Sequence, residues 1–318
     1  MTLEAFGWSP SWQAAFAARG ASGLMPGRVV GEHRTHLQVA TEAGEVAAEI
    51  PGRLRNAAQQ RSDLPGVGDF VSLRLAAGDG PATIEDVLPR TSALVRKASG
   101  ENRPQLLAAN VDFVFIVTAP DGDFNLPRIE RFVALVLESG AAPVIVLNKT
   151  DLTDDVSKVM QEISTVASGA PVHGVSAHAH TTSALELYFA GNRTIGLIGS
   201  SGVGKSTLTN TLLGRAAQAT QAVRAHDSRG RHTTTHRQLF LRPAGGSIMD
   251  TPGMRGIETW NPDQEPANKF EDIETVALGC KFSNCRHESE PKCAVRAAVA
   301  RGDLDAERVA KYVALARA

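Results

Sequence analysis

Three short strings constrain this chain more than anything else in it, and their order constrains it most. NKTD (Asn148, Lys149, Thr150, Asp151) comes first, GSSGVGKST (Gly199 to Thr207) second, and DTPG (Asp250 to Gly253) third. Each ends an apolar run, at Pro143 to Leu147, Thr194 to Ile198 and Gly246 to Met249. Short continuous runs of this kind, like Val111 to Val117 upstream, read as strands buried on both faces of a parallel sheet. Helical spacing fills the gaps, as at Ile129, Phe132, Val133, Val136 and Leu137, opened near Asn125 and Pro127 and stopped by Gly140. The alternation predicts a doubly wound α/β sheet with its motif loops at the strand C-terminal ends, where such sheets bind ligands.

GSSGVGKS satisfies the phosphate-loop pattern G-x4-G-K-S/T in the context it requires, an apolar strand before it and a helix with Leu208, Leu212 and Leu213 after it. Gly199, Ser200, Ser201, Gly202, Val203 and Gly204 would wrap backbone N–H groups around phosphates. Lys205 offers a point charge to the β and γ oxygens, Ser206 a hydroxyl to Mg2+, and Thr207 continues the first turn.

NKTD acquires meaning beside that loop. A carboxylate at Asp151 accepts both N–H groups on the guanine edge, a pair that adenine lacks, so the wrong base leaves polar groups unpaired. Asn148 would brace the loop, and Lys149 would lie along the base. Ser176-Ala177 is read as a further base-contacting loop, with an ordinary loop as the alternative. In DTPG, Asp250 would hold Mg2+ through water and the Gly253 N–H would sense the γ-phosphate. These are the parts of a GTP-binding switch, but the base reader precedes the phosphate loop instead of following it. A circularly permuted P-loop GTPase domain is expected.

The residue after DTPG is Met254, which cannot orient water as the Gln of many switch GTPases does. The segment RAHDSRGRHTTTHRQ offers His226, His232 and His236 beside Thr233, Thr234 and Thr235. His232 is favoured for the attacking water and Thr234 for completing the Mg2+ shell. A solvated or RNA-contacting loop, built from these histidines with Arg229, Arg231 and Arg237, is the alternative for any single His.

Both flanks carry other patterns. Residues 1–26 read as an extension with one short amphipathic helix, Trp12 and Phe16 a turn apart, closed by Gly20. Residues 27–95 show period-two segments such as Val71, Leu73 and Leu75, punctuated by Pro51-Gly52, Pro65-Gly66 and Gly78-Asp79-Gly80. A small N-terminal β-barrel of the OB-fold type is expected, with a barrel used only for packing as the alternative. A basic linker with Arg90, Arg96, Lys97 and Arg103 leads into the GTPase domain over 96–260. The last piece, 261–318, holds all three cysteines of the chain, Cys280, Cys285 and Cys293, with His287 among them. C-x4-C-x-H-x5-C supplies four ligands suited to tetrahedral zinc, and with every position filled by protein the ion would be structural, folding a small α-helical C-terminal module.

Length and charge allow this division. The chain has 318 residues and a net charge of −1, with the basic residues clustered between Arg224 and Arg242 and near the C-terminus. No apolar run approaches the ~20 residues needed to span a bilayer, and the N-terminus lacks the layout of a signal peptide. A cytoplasmic monomer with no membrane partner is expected.

The order NKTD, GSSGVGKST, GRHTTT, DTPG and CKFSNCRHESEPKC behind a barrel-like N-terminus resembles the bacterial ribosome small-subunit-dependent GTPase A family. The resemblance implies an oligonucleotide-binding barrel, a permuted GTPase domain and a zinc module that act on the small ribosomal subunit and its rRNA late in maturation. It also implies GTP hydrolysis that is slow alone and faster on the subunit, with His232 activating water. A nucleotide-gated RNA- or ribosome-binding module, in which hydrolysis is incidental, is the competing expectation.

Overall fold

The first residues break into two short elements rather than one amphipathic helix. A 3-10 turn, Leu3–Phe6, stops at Gly7, whose φ is 83°, and helix α1 (Pro10–Ala17) restarts the chain with Pro at its first turn. A left-handed residue followed by a proline cannot continue a right-handed helix, so the two pieces pack separately. The computed structural model describes residues 2–20, 22–33, 35–76, 78, 80–97, 104–121, 124–214 and 237–250, with 273, 276–277, 279–280, 285, 287, 290–291, 293–304 and 309 nearer the C-terminus. The chain divides into two compact units, Met1–Glu258 and Thr259–Ala318.

Within the first unit the alternating segments form strands β1 (Met25–Glu32), β2 (Leu37–Thr41), β3 (Gly44–Glu49), β4 (Phe70–Arg74) and β5 (Ala82–Val87), with a short helix, α2 (Gly52–Ala57), between β3 and β4. They run in the order β1-β2-β3-β5-β4, and β4 returns to β1. Only β3 and β5 pair in parallel. This is the five-stranded Greek-key barrel of the OB type. Val29, Val39, Val71, Leu73 and Ile84 fill its interior and are fully or almost fully buried.

On the outside of the barrel, Arg28 and Phe70 face each other across β1 and β4 and are buried by what covers them. Trp12, tilted, and Trp8, edge-on, pack against Phe70 with ring centroids 4.4 and 5.4 Å away. The N-terminal segment therefore docks on the barrel. The Arg28 guanidinium lies 4.7 Å from the centre of the same ring.

The segment expected as a linker is a hairpin of β6 (Ala93–Lys97) and β7 (Pro104–Ala109). Beyond it come β8 (Phe113–Thr118), α3 (Leu126–Glu138), β9 (Ala142–Leu147), α4 (Val156–Ser164), β10 (Val172–Gly174), β11 (Thr194–Ile198), α5 (Lys205–Leu213), β12 (Gln238–Leu241) and β13 (Ser247–Asp250). The strands β10-β9-β8-β11-β13 are parallel, and β12 joins them antiparallel. Each strand alternates between two cores, as the pleat requires. Val114, Ile116, Ile145 and Leu147 pack with Ile129, Phe132, Val136 and Ile163 on the α3/α4 side. Phe115, Val117, Val144 and Val146 pack with Tyr188, Leu208 and Leu212 on the other. Asn125 caps α3 by accepting the Arg128 N–H at 2.8 Å.

Barrel and α/β sheet are one continuous structure, which the sequence did not announce. The register of β1 shifts between Val29 and Gly31, the mark of a bulge, so the strand pairs with β4 along its first half and with β12 at Gly31–Gln238 along its second. Bulges re-aim a strand in this way. Arg28 adds a polar joint at the same place. Its guanidinium donates to the carbonyls of Gly68 (3.1 Å), Asn110 (2.9 Å) and Phe6 and to the Thr194 hydroxyl (2.8 Å). It thereby ties the N-terminal turn, the barrel, the end of the hairpin and the first residue of β11. Burial lowers its pKa to about 10, opposed by Asp112 and Asp69, so the side chain is charged at neutral pH.

In the second unit, α6 (Ala294–Arg301) packs Val295 and Ala298 with Ile273, Leu304, Val309 and the buried Cys293. No helix of the described residues is long and apolar enough to cross a membrane.

Candidate functional site

The phosphate-loop string occupies the turn from β11 into α5, at the centre of the sheet between β8 and β13. Glycine is required where this loop crosses its neighbours. At Gly199 (φ 139°) a Cβ would lie 2.0 Å from the Val117 carbonyl oxygen, and at Gly204 (φ 92°) it would lie 2.4 Å from Asn148 Nδ2. No side chain caps the N-terminus of α5, leaving its first N–H groups for a phosphate. Lys205 folds over the loop and donates to the carbonyls of Gly199 and Ser200, the latter at 2.5 Å. Ser206 and Thr207 follow in the first turn, Val203 is buried under it, and Ser201 and Gly202 form its open side.

Asn148 holds the distant strings together. Its amide donates to the Val203 carbonyl at 2.9 Å, and its side-chain oxygen accepts the Ala177 N–H at 3.0 Å. Only 2% of it is exposed, so one side chain braces NKTD, the phosphate loop and Ser176-Ala177. The Ser176 hydroxyl donates to Asp151 and accepts the Ala179 N–H at 3.1 Å. That bond, first among its causes, holds the Asp151 carboxyl below its usual range and keeps it an ionised acceptor. Thr150 opens the short turn that carries Asp151. Lys149 adopts a left-handed backbone (φ 59°) and pairs with Asp121 at 3.1 Å.

Sequence reasoning missed three participants. Asp121 follows the C-terminal end of β8, and that placement beside the other motif loops was the available signal. Arg128, in the first turn of α3, donates to the Ser200 hydroxyl. Thr211 donates to the Ala177 carbonyl at 3.2 Å, tying α5 to the Ser176-Ala177 loop. The backbone of Asp250 ends β13 beside β11, but its side chain lies outside the described residues, as do Gly253, Met254, His226, His232, Thr234 and His236.

In the second unit the cysteine and histidine side chains converge. One ligand atom from each of Cys280, Cys285, His287 and Cys293 lies within 4.8 Å of all the others. Cys280 Sγ is 3.8 Å from Cys293 Sγ and 3.6 Å from His287 Nδ1, and His287 Nδ1 is 3.4 Å from Cys293 Sγ. A tetrahedron with metal–sulfur bonds of about 2.3 Å has edges of about 3.8 Å, shortened where nitrogen replaces sulfur. A disulfide would need the sulfurs about 2 Å apart. Burial pushes the Cys285 thiol up to about 11, and the neighbouring sulfurs push the same way. At Cys280 burial also opposes ionisation, but the amides of Val295 and Ala294 together with the Cys293 and Cys285 side chains bring the thiol below its usual value. Thiolates crowded this closely need a cation among them, so the donor set fits a metal ion.

Comparison with known proteins agrees with this arrangement. The model of a family described as RsgA GTPase matches residues 87–260. The small ribosomal subunit biogenesis GTPase RsgA of Opitutus terrae is 42% identical, over 100% of this chain and 89% of its own. The protein of that name from Methanosarcina acetivorans is 42% identical, over 96% of this chain and 82% of its own. Among solved structures, YjeQ from Thermotoga maritima is similar with a TM-score of 0.56 and 28% identity, covering 92% of this chain and 97% of its own. YloQ, titled a circularly permuted GTPase, shares the fold with a TM-score of 0.52 at 23% identity, over 92% and 95% of the two chains. With NKTD ahead of GSSGVGKST and relatives matching along nearly its whole length, this chain belongs to the RsgA GTPase family.

Proposed function

We propose that the protein binds the small ribosomal subunit through rRNA and hydrolyses GTP there during late maturation, acting as a cytoplasmic monomer. The observation that carries the reading is the Asn148 brace, which ties NKTD to Val203 of GSSGVGKST and to Ala177 although 47 residues lie between Asp151 and Gly199. The relatives' names supply the partner.

In this reading Asp151 accepts the guanine N–H groups, Lys149 lies along the base, and Ser176-Ala177 closes the base loop. The loop amides from Gly199 to Gly204 and Lys205 hold the phosphates. Ser206 and Thr234 would hold Mg2+, with Asp250 reaching it through water, and the Gly253 N–H would contact the γ-phosphate. Magnesium, when bound, neutralises charge on the phosphate oxygens. His232 orients the attacking water while the bond between the γ-phosphorus and the GDP oxygen breaks. Zinc on Cys280, Cys285, His287 and Cys293 cross-links the C-terminal module. The proposed limits are 27–95 for the barrel, 96–260 for the GTPase domain and 261–318 for the zinc module.

Steady-state GTP hydrolysis by zinc-loaded protein, with and without small subunits, tests this, with large subunits and ATP as controls. Stimulation by small subunits alone is expected, and equal turnover in every mixture would overturn the reading. His232→Ala should cut stimulated turnover by roughly 10²- to 10⁴-fold with nucleotide affinity unchanged.

A further inference from the structure

Where β1 leaves the barrel for β12, the surface opens into a cavity of about 180 Å³. Six titratable side chains line it, His33, His36, Arg55, Arg61, Arg237 and Glu32. Three guanidiniums thus face one carboxylate, and Glu32 is already paired with Arg237 at 2.7 Å. Among the described residues Arg55 uses only its Nε, on the Ile50 carbonyl at 3.1 Å, and its terminal nitrogens meet no partner there. Arg61 is exposed and its side chain has no hydrogen-bond or ion-pair partner among the described residues. The His33 and His36 rings stack 4.7 Å apart along one wall. These groups come from the β1–β2 turn, from α2, from the turn after it and from the start of β12, so the fold itself assembles them.

Neighbouring guanidiniums repel one another unless an anion lies between them, and their planar forks match phosphate oxygens. An OB-type barrel offers the adjoining surface for an extended oligonucleotide, with basic groups that track its backbone. We propose that this cavity binds one phosphate group of a single-stranded RNA backbone, held by Arg55, Arg61 and Arg237. The proposal rests on the RNA contact in the function above and deepens it, because it gives that contact a route to the nucleotide site.

The route begins at Arg237. A phosphate competes with Glu32 for this side chain, whose backbone carbonyl accepts the Glu32 N–H at 3.2 Å. Arg237 directly precedes β12, and β12 pairs with β13 from Gln238–Asp250 to Leu241–Ser247. The same arginine closes the segment that carries His232 and Thr234. RNA held in the cavity therefore acts on the strand between the barrel and both motifs, and nucleotide state must alter RNA affinity by the same factor in return.

The test is fluorescence anisotropy of a 5′-labelled oligouridine with the full-length protein across a salt series, comparing wild type, Arg61→Gln and Arg53→Gln. Arg53 lies on α2 outside the cavity and pairs with Glu85, so it controls for the loss of one surface charge. Losing one phosphate contact lowers the slope of log K against log salt by about 0.7 for a single strand. Arg61→Gln should show that drop and Arg53→Gln should not. Equal slopes in all three proteins, or an equal drop in both variants, would overturn the proposal. The readout needs neither ribosomes nor turnover. A wild type that small subunits fail to stimulate overturns the proposed function alone, and an unchanged Arg61→Gln slope beside normal stimulation overturns the cavity alone.

Discussion

Replacing Arg28 with Met tests whether a buried polar joint makes barrel and α/β sheet one body. Methionine keeps an unbranched side chain of similar length but takes away every donor. The Gly68 carbonyl would keep the Asn110 side-chain amide at 3.1 Å, and the Thr194 hydroxyl would keep Ser247 at 3.1 Å. The carbonyls of Phe6 and Asn110 would lose the guanidinium that meets them in the buried joint. Each buried carbonyl left without a donor costs about 1–3 kcal/mol. The cation–π contact with Phe70 adds roughly 1 kcal/mol, and relief from burying a charge offsets part of the sum. A loss of about 4 kcal/mol results, which lowers the melting temperature by roughly 8–16 °C for a unit of this size. Urea unfolding followed by tryptophan emission in a Trp260→Phe background reads the region directly, since Trp8 and Trp12 both contact Phe70. Arg19→Met is the control, because the Arg19–Asp86 pair is 42% and 37% exposed and should contribute under about 1 kcal/mol. An Arg28→Met loss no larger than that of the control would refute the reasoning.

Three further outcomes are expected. Asp151→Asn turns the base-reading acceptor partly into a donor, so GTP affinity should fall roughly 10- to 100-fold, the value of a charge-assisted hydrogen bond, with xanthosine triphosphate recovering it in a competition assay. Cys293→Ser or a strong chelator should release one metal ion per chain and abolish the cooperative melting of α6, measured by metal analysis and circular dichroism. Burial lowers the pKa of His173, which shares a 2.7 Å hydrogen bond with the Tyr188 hydroxyl, below the ordinary 6.5. The unfolded chain therefore takes up a proton first, and stability present above pH 6.5 is lost as pH falls toward the folded value. In urea midpoints against pH, His173→Gln should remove that part of the slope.

Family membership and the observed contacts bear on each other at Asn148. A motif of four residues says little alone, yet the Asn148 side chain sits where GSSGVGKST and Ser176-Ala177 meet. Permuting the chain leaves this meeting intact, because β8, β9, β11 and β13 pair in parallel whichever order the backbone visits their ends. What permutation changes is where the flanking modules attach. Here it places the barrel's β1 against β12, one strand from β13.

The sequence alone determined what is encoded over short stretches. Period-two alternation marked the barrel strands, and continuous apolar runs marked β8, β9 and β11. Motif strings marked the loops that end β9 and β11, and the spacing of three cysteines and a histidine marked a cluster whose side chains converge. Such signals survive in one dimension because a strand's two faces, a turn's glycines and a chelate's ligands are set by neighbours a few residues away. Only the tertiary structure decided the long-range pairings. Arg28 belongs to no sequence motif, and four distant segments each bring an oxygen to it in the buried joint. The paired strands Ala93–Lys97 and Pro104–Ala109 lie where a linker was expected, nothing local marked where the N-terminal tryptophans dock, and Asp121 and Arg128 carried no motif. Their partners lie far along the chain, and nothing local fixes the edge at which β1 meets β12. That edge is chosen where a bulged strand, two exposed rows of backbone hydrogen-bonding groups and the burial of both cores are satisfied together.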